Sequence, residues 1–266
     1  MKKIAFLPLL LLMIWGCATN PVTGRTGLSL VSNAQLFPQS FAQYSQVLQE
    51  GNVIKGTKDA QMVQDVGTRI KYAAEKLYSE MGLSNQLQGY EWQFSLLQSD
   101  EVNAWCMPGG KVAVYSGILP ITQNATGLAV VMGHEVGHAL AGHSAEQVSN
   151  AMVAQYGGAI LGSTISNEQY ANIFNQLYPV GAQVGLLSYS RKMELDADET
   201  GLYLMAMAGF DPSQAVPFWE RMSSNGSQKV SEFLSTHPSD QTRISKIKAA
   251  MPKAMAYYNA SPYKGK

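Results

Sequence analysis

The sequence predicts an α+β fold that is mainly helical, with one small antiparallel sheet beside a buried helix. Apolar residues recur at helical spacing over much of the chain, for example along residues 59–81. Along residues 92–96 the period changes to two, which is typical of a half-buried strand. Residues 103–107 and 111–115 flank the turn Pro108-Gly109-Gly110 and predict a hairpin. The sheet therefore directly precedes the helix predicted from residue 126 to about residue 155.

That helix carries the motif His134-Glu135-x-x-His138 within an apolar run. Residues four apart lie on one face of a helix, about 6 Å apart along its axis. His134 and His138 can therefore offer two imidazole nitrogens to one metal ion, although two core histidines on a buried helix are the alternative. Glu135 lies about 100° further round the helix, where its carboxylate can take a proton from an attacking water. Zinc suits this chemistry because its catalytic sites take nitrogen and oxygen ligands and keep one position for water.

The third metal ligand has to come from elsewhere in the chain. Zinc proteases with a His-Glu-x-x-His-x-x-Gly-x-x-His motif have a third histidine where this sequence has Ser144. Glu194 and Asp198 are four apart on a later predicted helix and share a face. Glu194 can bind the metal and Asp198 can hold a ligand histidine by its second ring nitrogen, unless both belong to a solvated acidic face. His143 is expected to be structural or to support the site.

Four motifs follow one another along the chain. They are Val-Asn-Ala with Pro-Gly-Gly and Val-Tyr-Ser-Gly within residues 102–117, the His-Glu motif, Glu194-x-x-x-Asp198, and Thr236-His237-Pro238 with Arg243-Ile244. In this order they resemble the zinc metallopeptidases of peptidase family forty-eight, which includes HtpX-type and Oma-type proteases and bacterial periplasmic lipoproteins. The resemblance implies a zincin-like metallopeptidase domain with one zinc ion on His134, His138 and Glu194. It also implies Glu135 as the catalytic base and proteins or peptides as substrates.

The resemblance assigns further roles around the cleft. Asn103 and Ala104 lie on an edge strand that pairs with the extended backbone of the substrate. His237 either donates a hydrogen bond to the oxyanion of the tetrahedral intermediate or occupies the open zinc position in a resting state. Arg243 anchors the turn at His237 or assists at the site.

The N-terminal residues predict export and a lipid anchor. Lys2 and Lys3 precede an apolar run at residues 4–15 that is too short to span a bilayer as a lasting helix. Residues 14–17 resemble a bacterial lipoprotein box, which implies cleavage before Cys17 and its lipidation, although an incidental cysteine is the alternative. Acyl chains anchor through burial of methylene groups, at about 0.8 kcal/mol each. Ala18 follows the cysteine, which favours the periplasmic face of the outer membrane.

We therefore expect a signal peptide at residues 1–16, the lipidated cysteine and a tether at 17–33, the metallopeptidase domain at 34–255 and a tail at 256–266. The chain carries 19 basic and 19 acidic residues with no basic patch, so nucleic acid is not an expected partner. Residues 156–185 are rich in glycine, alanine, asparagine and glutamine. They form either a lid over the cleft or an ordinary pair of helices.

Together these features predict a zinc metalloendopeptidase of the bacterial cell envelope. Its expected substrates are misfolded or unassembled envelope proteins. The alternative is an envelope assembly or chaperone-like lipoprotein that uses the same fold mainly for binding. The sequence does not identify any envelope protein partner.

Overall fold

The computed structural model describes residues 16–157, 166–179, 189–224, 228–237 and 241–266. Their architecture is mainly helical with a small sheet, which confirms the predicted α+β class. The strands are β1 (Cys17–Thr19), β2 (Thr26–Leu28), β3 (Val53–Ile54), β4 (Gln93–Leu97), β5 (Ala104–Met107) and β6 (Lys111–Tyr115). The helices are α1 (Phe37–Glu50), α2 (Lys58–Glu80), α3 (Leu119–Thr122), α4 (Ala125–Leu140), α5 (His143–Tyr156), α6 (Asn167–Leu177), α7 (Arg191–Met207), α8 (Ala215–Ser224), α9 (Gln228–Thr236) and α10 (Gln241–Ala260).

The larger sheet has the strand order β3-β4-β6-β5. Strands β5 and β6 form the predicted antiparallel hairpin, whereas β4 runs parallel to β6. Phe94 and Leu96 face the main core, and Leu97 faces a second cluster that contains Tyr44 and Val47 of α1. The expectation that β4 is half-buried was wrong, because α1 covers the second face of the sheet.

Helix α4 runs through the centre of the core, with every residue from Gly127 to Leu140 buried. Asn124 caps its start by accepting a hydrogen bond from the Gly127 N–H at 3.0 Å. The helix ends before Gly142, whose φ of 69° is left-handed, and α5 then begins at His143. The helix predicted over residues 126–155 is therefore two helices, and the turn between them brings His143 back against His138.

Helices α4 and α7 pack backbone against backbone because small residues face each other between them. A Cβ atom added at Gly133 would lie 2.8 Å from the Gly201 carbonyl oxygen, and one at Gly137 would lie 2.8 Å from the Ala197 carbonyl oxygen. Since no side chain separates the two backbones, α7 can present Glu194 directly to the histidines of α4. This packing sets the distance between the two helices that carry the predicted metal ligands.

The N-terminal residues from 16 to 33 are packed against the domain. Strands β1 and β2 pair antiparallel, with Cys17 opposite Leu28. Cys17 is exposed at the start of β1, and the connecting loop at residues 20–25 contacts α5 and α7. The segment expected to be a tether thus contains ordered structure. The domain limits drawn from the sequence otherwise stay a prediction.

The segment considered as a lid is described only in part. Residues 158–165 and 180–188 lie outside the described residues, so the lid prediction cannot be placed there. In the described part, Tyr170 and Phe174 of α6 pack with Met152 of α5 in a separate cluster. Among the helices in the described ranges, none is long and apolar enough to cross a membrane.

Replacing Gly201 by alanine tests the contact between α4 and α7. In an open helix interior this change adds about 1 kcal/mol of stability. Here the added Cβ would lie 2.7 Å from the carbonyl carbon of Gly133, so the helices have to separate. We expect the free energy of unfolding to fall by about 1–3 kcal/mol, measured by denaturant and thermal unfolding. A melting temperature equal to or above that of the wild type would contradict this packing.

Candidate metal centre

Four buried donors converge where α4, α7 and the end of α9 meet. The ligand atoms of His134, His138, Glu194 and His237 all lie within 4.8 Å of one another. His134 Nε2 is 3.1 Å from His138 Nε2 and 3.3 Å from His237 Nδ1. Glu194 Oε1 is 3.3 Å from His138 Nε2 and 3.2 Å from His237 Nδ1. The fold thus brings the three predicted ligands together and places His237 beside them as a fourth donor.

This donor set fits a zinc ion. Ligand atoms about 2.1 Å from a tetrahedral zinc are about 3.4 Å from one another, close to the separations of 3.1 to 3.5 Å around His134 Nε2. Glu194 Oε2 is buried. It forms an ion pair with Arg243 Nη1 at 3.0 Å, but the geometry of this contact is not that of a hydrogen bond. In the neutral forms that bind a metal, the Nε2 lone pairs of His134 and His138 face each other, and a cation between them removes their repulsion. Zinc therefore satisfies both the histidine pair and the carboxylate.

Asp198 fixes the orientation of His134. Its Oδ1 accepts a hydrogen bond from His134 Nδ1 at 2.9 Å, which leaves the Nε2 lone pair directed into the cluster. Arg243 donates to both oxygens of Asp198 at 2.6 Å and lies 4.1 Å over the Trp219 ring. It also donates to the His237 carbonyl at 3.3 Å, so one guanidinium group contacts both Asp198 and the backbone at His237.

His138 is held by a different set of groups. His138 Nδ1 is 2.8 Å from His143 Nδ1, and His143 Nε2 is 3.0 Å from Asp196 Oδ2. The Tyr189 ring stacks on His138 with centroids 3.8 Å apart. Asp196 and Tyr189 were not among the predicted site residues. Asp196 is two residues from Glu194 and lies on another face of α7, so helical spacing does not connect it with the site.

Burial and neighbouring charges set the protonation states. Burial lowers the pKa of His138 well below its usual value, which keeps the ring neutral as a metal ligand requires. Burial raises the pKa of Glu194, but electrostatic interaction with His237 and hydrogen bonds with the neighbouring histidines outweigh it and hold that pKa far below its usual value. Burial also raises the pKa of Glu135, whose Oε1 has no hydrogen-bond partner and lies 3.7 Å from His237 Nε2. Such a carboxylate is suited to take up a proton.

The predicted substrate strand lies at an edge of the sheet beside α4. Ala104 begins β5, which pairs only with β6 among the described strands. The backbone oxygen of Asn103 accepts a hydrogen bond from Tyr115 N at 3.0 Å, whereas its buried Oδ1 has no partner. The outer edge of β5 is the one that the prediction assigns to an extended peptide. The substrate role of Asn103 and Ala104 stays a prediction.

The fold and the donor set define a zincin-type metallopeptidase, with a His-Glu-x-x-His helix and a third ligand on a later helix. The sequence profile of Peptidase family M48 matches residues 65–251, and the chain belongs to this family. Metallopeptidases of this family use zinc, which agrees with the fit of the donor cluster.

Three curated relatives illustrate the similarity. The mitochondrial metalloendopeptidase OMA1 of Schizosaccharomyces pombe is 39% identical over 166 residues, which cover 62% of this chain and 48% of the relative. The OMA1 of Arabidopsis thaliana is 32% identical over 207 residues, covering 77% and 41%. The β-barrel assembly-enhancing protease of Escherichia coli O157:H7 is 30% identical over 162 residues, covering 58% and 33%. The chain thus spans about half the length of these relatives or less.

The protonation of His134 predicts how zinc binding depends on pH. Burial lowers the pKa of His134, but the neighbouring carboxylates of Asp198 and Glu194 outweigh it and raise the pKa to about 9. Since zinc binds neutral imidazole, it displaces this proton at any pH below that value. We expect the apparent zinc affinity to rise about tenfold per pH unit between roughly pH 6 and pH 8. Chelator competition at several pH values measures this slope.

Calorimetry in two buffers of different ionisation enthalpy should report the release of about one proton per zinc. The Asp198→Asn variant is the control, because it removes the carboxylate that raises the pKa of His134. Its slope should be flatter than that of the wild type. A zinc affinity of the wild type that does not change over this pH range would contradict the assignment.

Proposed function

We propose that the protein is a zinc-dependent metalloendopeptidase of the bacterial cell envelope, which hydrolyses peptide bonds in misfolded or unassembled envelope proteins. The observation that carries this proposal is the buried Glu135 carboxylate, whose Oε1 makes no hydrogen bond and lies 3.7 Å from His237 Nε2, beside the four converging metal donors. Membership of Peptidase family M48 supports hydrolysis of peptide bonds. The relatives named metalloendopeptidase support cleavage within a chain rather than at its ends.

Each residue then has a chemical task. His134, His138 and Glu194 hold the zinc, which when bound polarises the peptide carbonyl and makes water more acidic. Glu135 takes the proton of the attacking water and passes it to the leaving amine. Burial raises the pKa of Glu135 toward neutral pH. A pKa near the working pH is best for a group that first accepts a proton and then donates it. The edge of β5 aligns the substrate backbone with little demand on its sequence.

The position of His237 supports the resting-state alternative. Its Nδ1 is close to both His134 Nε2 and Glu194 Oε1, as a fourth ligand would be. A catalytic zinc site keeps one position open, so this ring has to move aside before turnover. After that movement it can donate a hydrogen bond to the oxyanion. The four-donor arrangement also favours the second candidate function, an assembly or chaperone-like lipoprotein that binds its clients and cleaves slowly.

The proposed location is the periplasmic face of the outer membrane, with a lipid anchor on Cys17. The lipoprotein-like sequence before Cys17 supports it, as does the exposure of this residue at the start of β1. The bacterial relative named for β-barrel assembly also supports an envelope role. Other relatives are named as mitochondrial proteins, so cell fractionation decides between these compartments.

Replacing Glu135 by glutamine tests the catalytic proposal. The variant should keep one zinc per chain, because Glu135 is not among the converging donors. Cleavage of casein should fall by about 100- to 10,000-fold, since the proton acceptor is lost. Zinc content is measured by elemental analysis and cleavage by a fluorescent casein assay, with and without a chelator.

The matched control for this experiment is Glu199→Gln on α7, because Glu199 accepts a hydrogen bond from Tyr203 and is not one of the converging donors. This control should cleave casein at the wild-type rate. A Glu135→Gln variant with undiminished turnover would refute the mechanism. If that variant is inactive on casein but still restores growth of a deletion strain under envelope stress, binding rather than cleavage is the main function.

The lipid anchor is tested by replacing Cys17 with serine. The wild-type protein should incorporate a labelled fatty acid and sediment with the outer membrane, because acyl chains hold it there. The Cys17→Ser variant should take up no label and leave the membrane fraction. Cys106→Ala is the matched control, since Cys106 is buried in β5 and should not affect labelling. Membrane binding of Cys17→Ser equal to that of the wild type would contradict the anchor.

A further inference from the structure

The loop at residues 20–25, here called the N-terminal loop, holds the carboxylate of Asp196. Asn20 Nδ2 donates to Asp196 Oδ1 at 2.9 Å, and the Thr23 hydroxyl donates to the same oxygen. Arg25 Nε donates to Asp196 Oδ2 at 2.8 Å. Three side chains of one short loop thus converge on one carboxylate that is 3% exposed.

Arg25 also fastens the loop to a second helix. Its Nη1 and Nη2 donate to the two carboxylate oxygens of Glu146 on α5, at 3.2 Å and 2.6 Å. A guanidinium group that bridges two carboxylates has its position fixed by both of them. The loop therefore holds Asp196 of α7 in a set position relative to α5, the helix that begins with His143.

Asp196 is joined to the metal cluster through His143. Asp196 Oδ2 accepts from His143 Nε2 at 3.0 Å, so the proton of neutral His143 lies on that nitrogen. His143 Nδ1 is then an acceptor, and His138 Nδ1 is 2.8 Å away. His138 must donate from Nδ1, which leaves the lone pair of its Nε2 directed at the metal position. The chain of hydrogen bonds selects the one tautomer of His138 that can bind zinc through Nε2.

The hydrogen-bonded groups behind His138 resemble those behind His134, although the residues differ. There Asp198 accepts directly from the ligand histidine and Arg243 holds Asp198. For His138 the carboxylate is that of Asp196, which acts through the His143 ring instead of directly. The arginine that holds Asp196 is Arg25 of the N-terminal loop, whereas Arg243 lies in the C-terminal part of the chain. Both ligand histidines thus have a carboxylate and an arginine behind them.

We propose that the N-terminal loop is a positioning element of the metal site, which orients Asp196 so that His143 holds His138 with Nε2 toward the zinc. The inference rests on the proposed function, because it takes His138 as a zinc ligand. Arg25, Asp196 and His143 are positioning residues, since none of them is among the converging metal donors. The loop therefore contributes to zinc affinity from outside the segment of the chain that carries the ligands.

Zinc dissociation constants of the full chain test this proposal, measured by chelator competition at fixed pH. Asp196→Ala and His143→Leu should each weaken zinc binding by about 10- to 100-fold, as is usual for groups behind a ligand histidine. Arg25→Met should weaken it by about tenfold. His143→Gln should stay within about threefold of the wild type, because an amide offers one acceptor and one donor in place of the two ring nitrogens.

Two measurements separate positioning from loss of fold. Arg69→Met is the matched control, because Arg69 also anchors α7, donating to the Ala208 carbonyl at 2.8 Å at the far end of that helix. It should lower the melting temperature without changing zinc affinity. The absorption spectrum of the cobalt-substituted protein should change in His143→Leu and not in Arg69→Met. If a buried variant does not fold, Arg25→Met on the partly exposed loop carries the test.

The outcomes separate this inference from the function it rests on. If the wild type binds zinc and His138→Ala does not, but Asp196→Ala and His143→Leu keep wild-type affinity, the inference is wrong and the proposed function stands. Weakened binding in those two variants together with unchanged binding in Arg25→Met would overturn the role of the loop. A wild-type chain that binds no zinc would overturn both proposals.

Discussion

The close contact between the backbones of α4 and α7 is the constraint on which the metal site depends. Gly133, Gly137 and Gly201 leave no side chain between the two helices. A larger residue at any of them would push α7 outward and carry Glu194 away from the histidines. The ligands on α4 are set by helical repeat alone, but the third ligand is set by this packing. Its cost is the loss of helix propensity at three glycines, about 1 kcal/mol each.

The burial of charged groups is the second constraint, and it explains why arginine and histidine side chains surround the buried carboxylates of the site. Glu194, Asp196 and Asp198 are each at most 5% exposed, and a buried carboxylate without partners is strongly destabilising. Arg25 and Arg243 compensate two of them through charge-assisted hydrogen bonds. Glu194 shares Arg243 with Asp198, through a contact of 3.0 Å between Nη1 and Oε2, so its carboxylate and the facing histidines are best satisfied by a further cation.

The sequence predicted the fold class and most residues of the candidate site. The pairs His134 with His138 and Glu194 with Asp198 follow from helical spacing. Glu194 was predicted as the third ligand from the later acidic motif. The sequence could not predict that Asp196 supports His138, because residue 196 lies on a different face of α7 from Glu194. It also missed Tyr189, which comes from a loop with no periodic signal, and the burial of β4 by α1. These contacts depend on tertiary packing, which spacing along one element does not contain.

The site depends on the whole folded domain, because its contacts join residues that are far apart in the sequence. Asn20 and Asp196 are 176 residues apart, and His134 and His237 are 103 apart, yet both pairs are in contact. Residues so far apart meet only when the domain is folded, so the metal position does not exist in the unfolded chain. Zinc bound there stabilises the fold, and a loosened loop weakens zinc binding by the same linkage. The N-terminal loop and the C-terminal Arg243 thus act on one equilibrium, each through the ligand histidine that it supports.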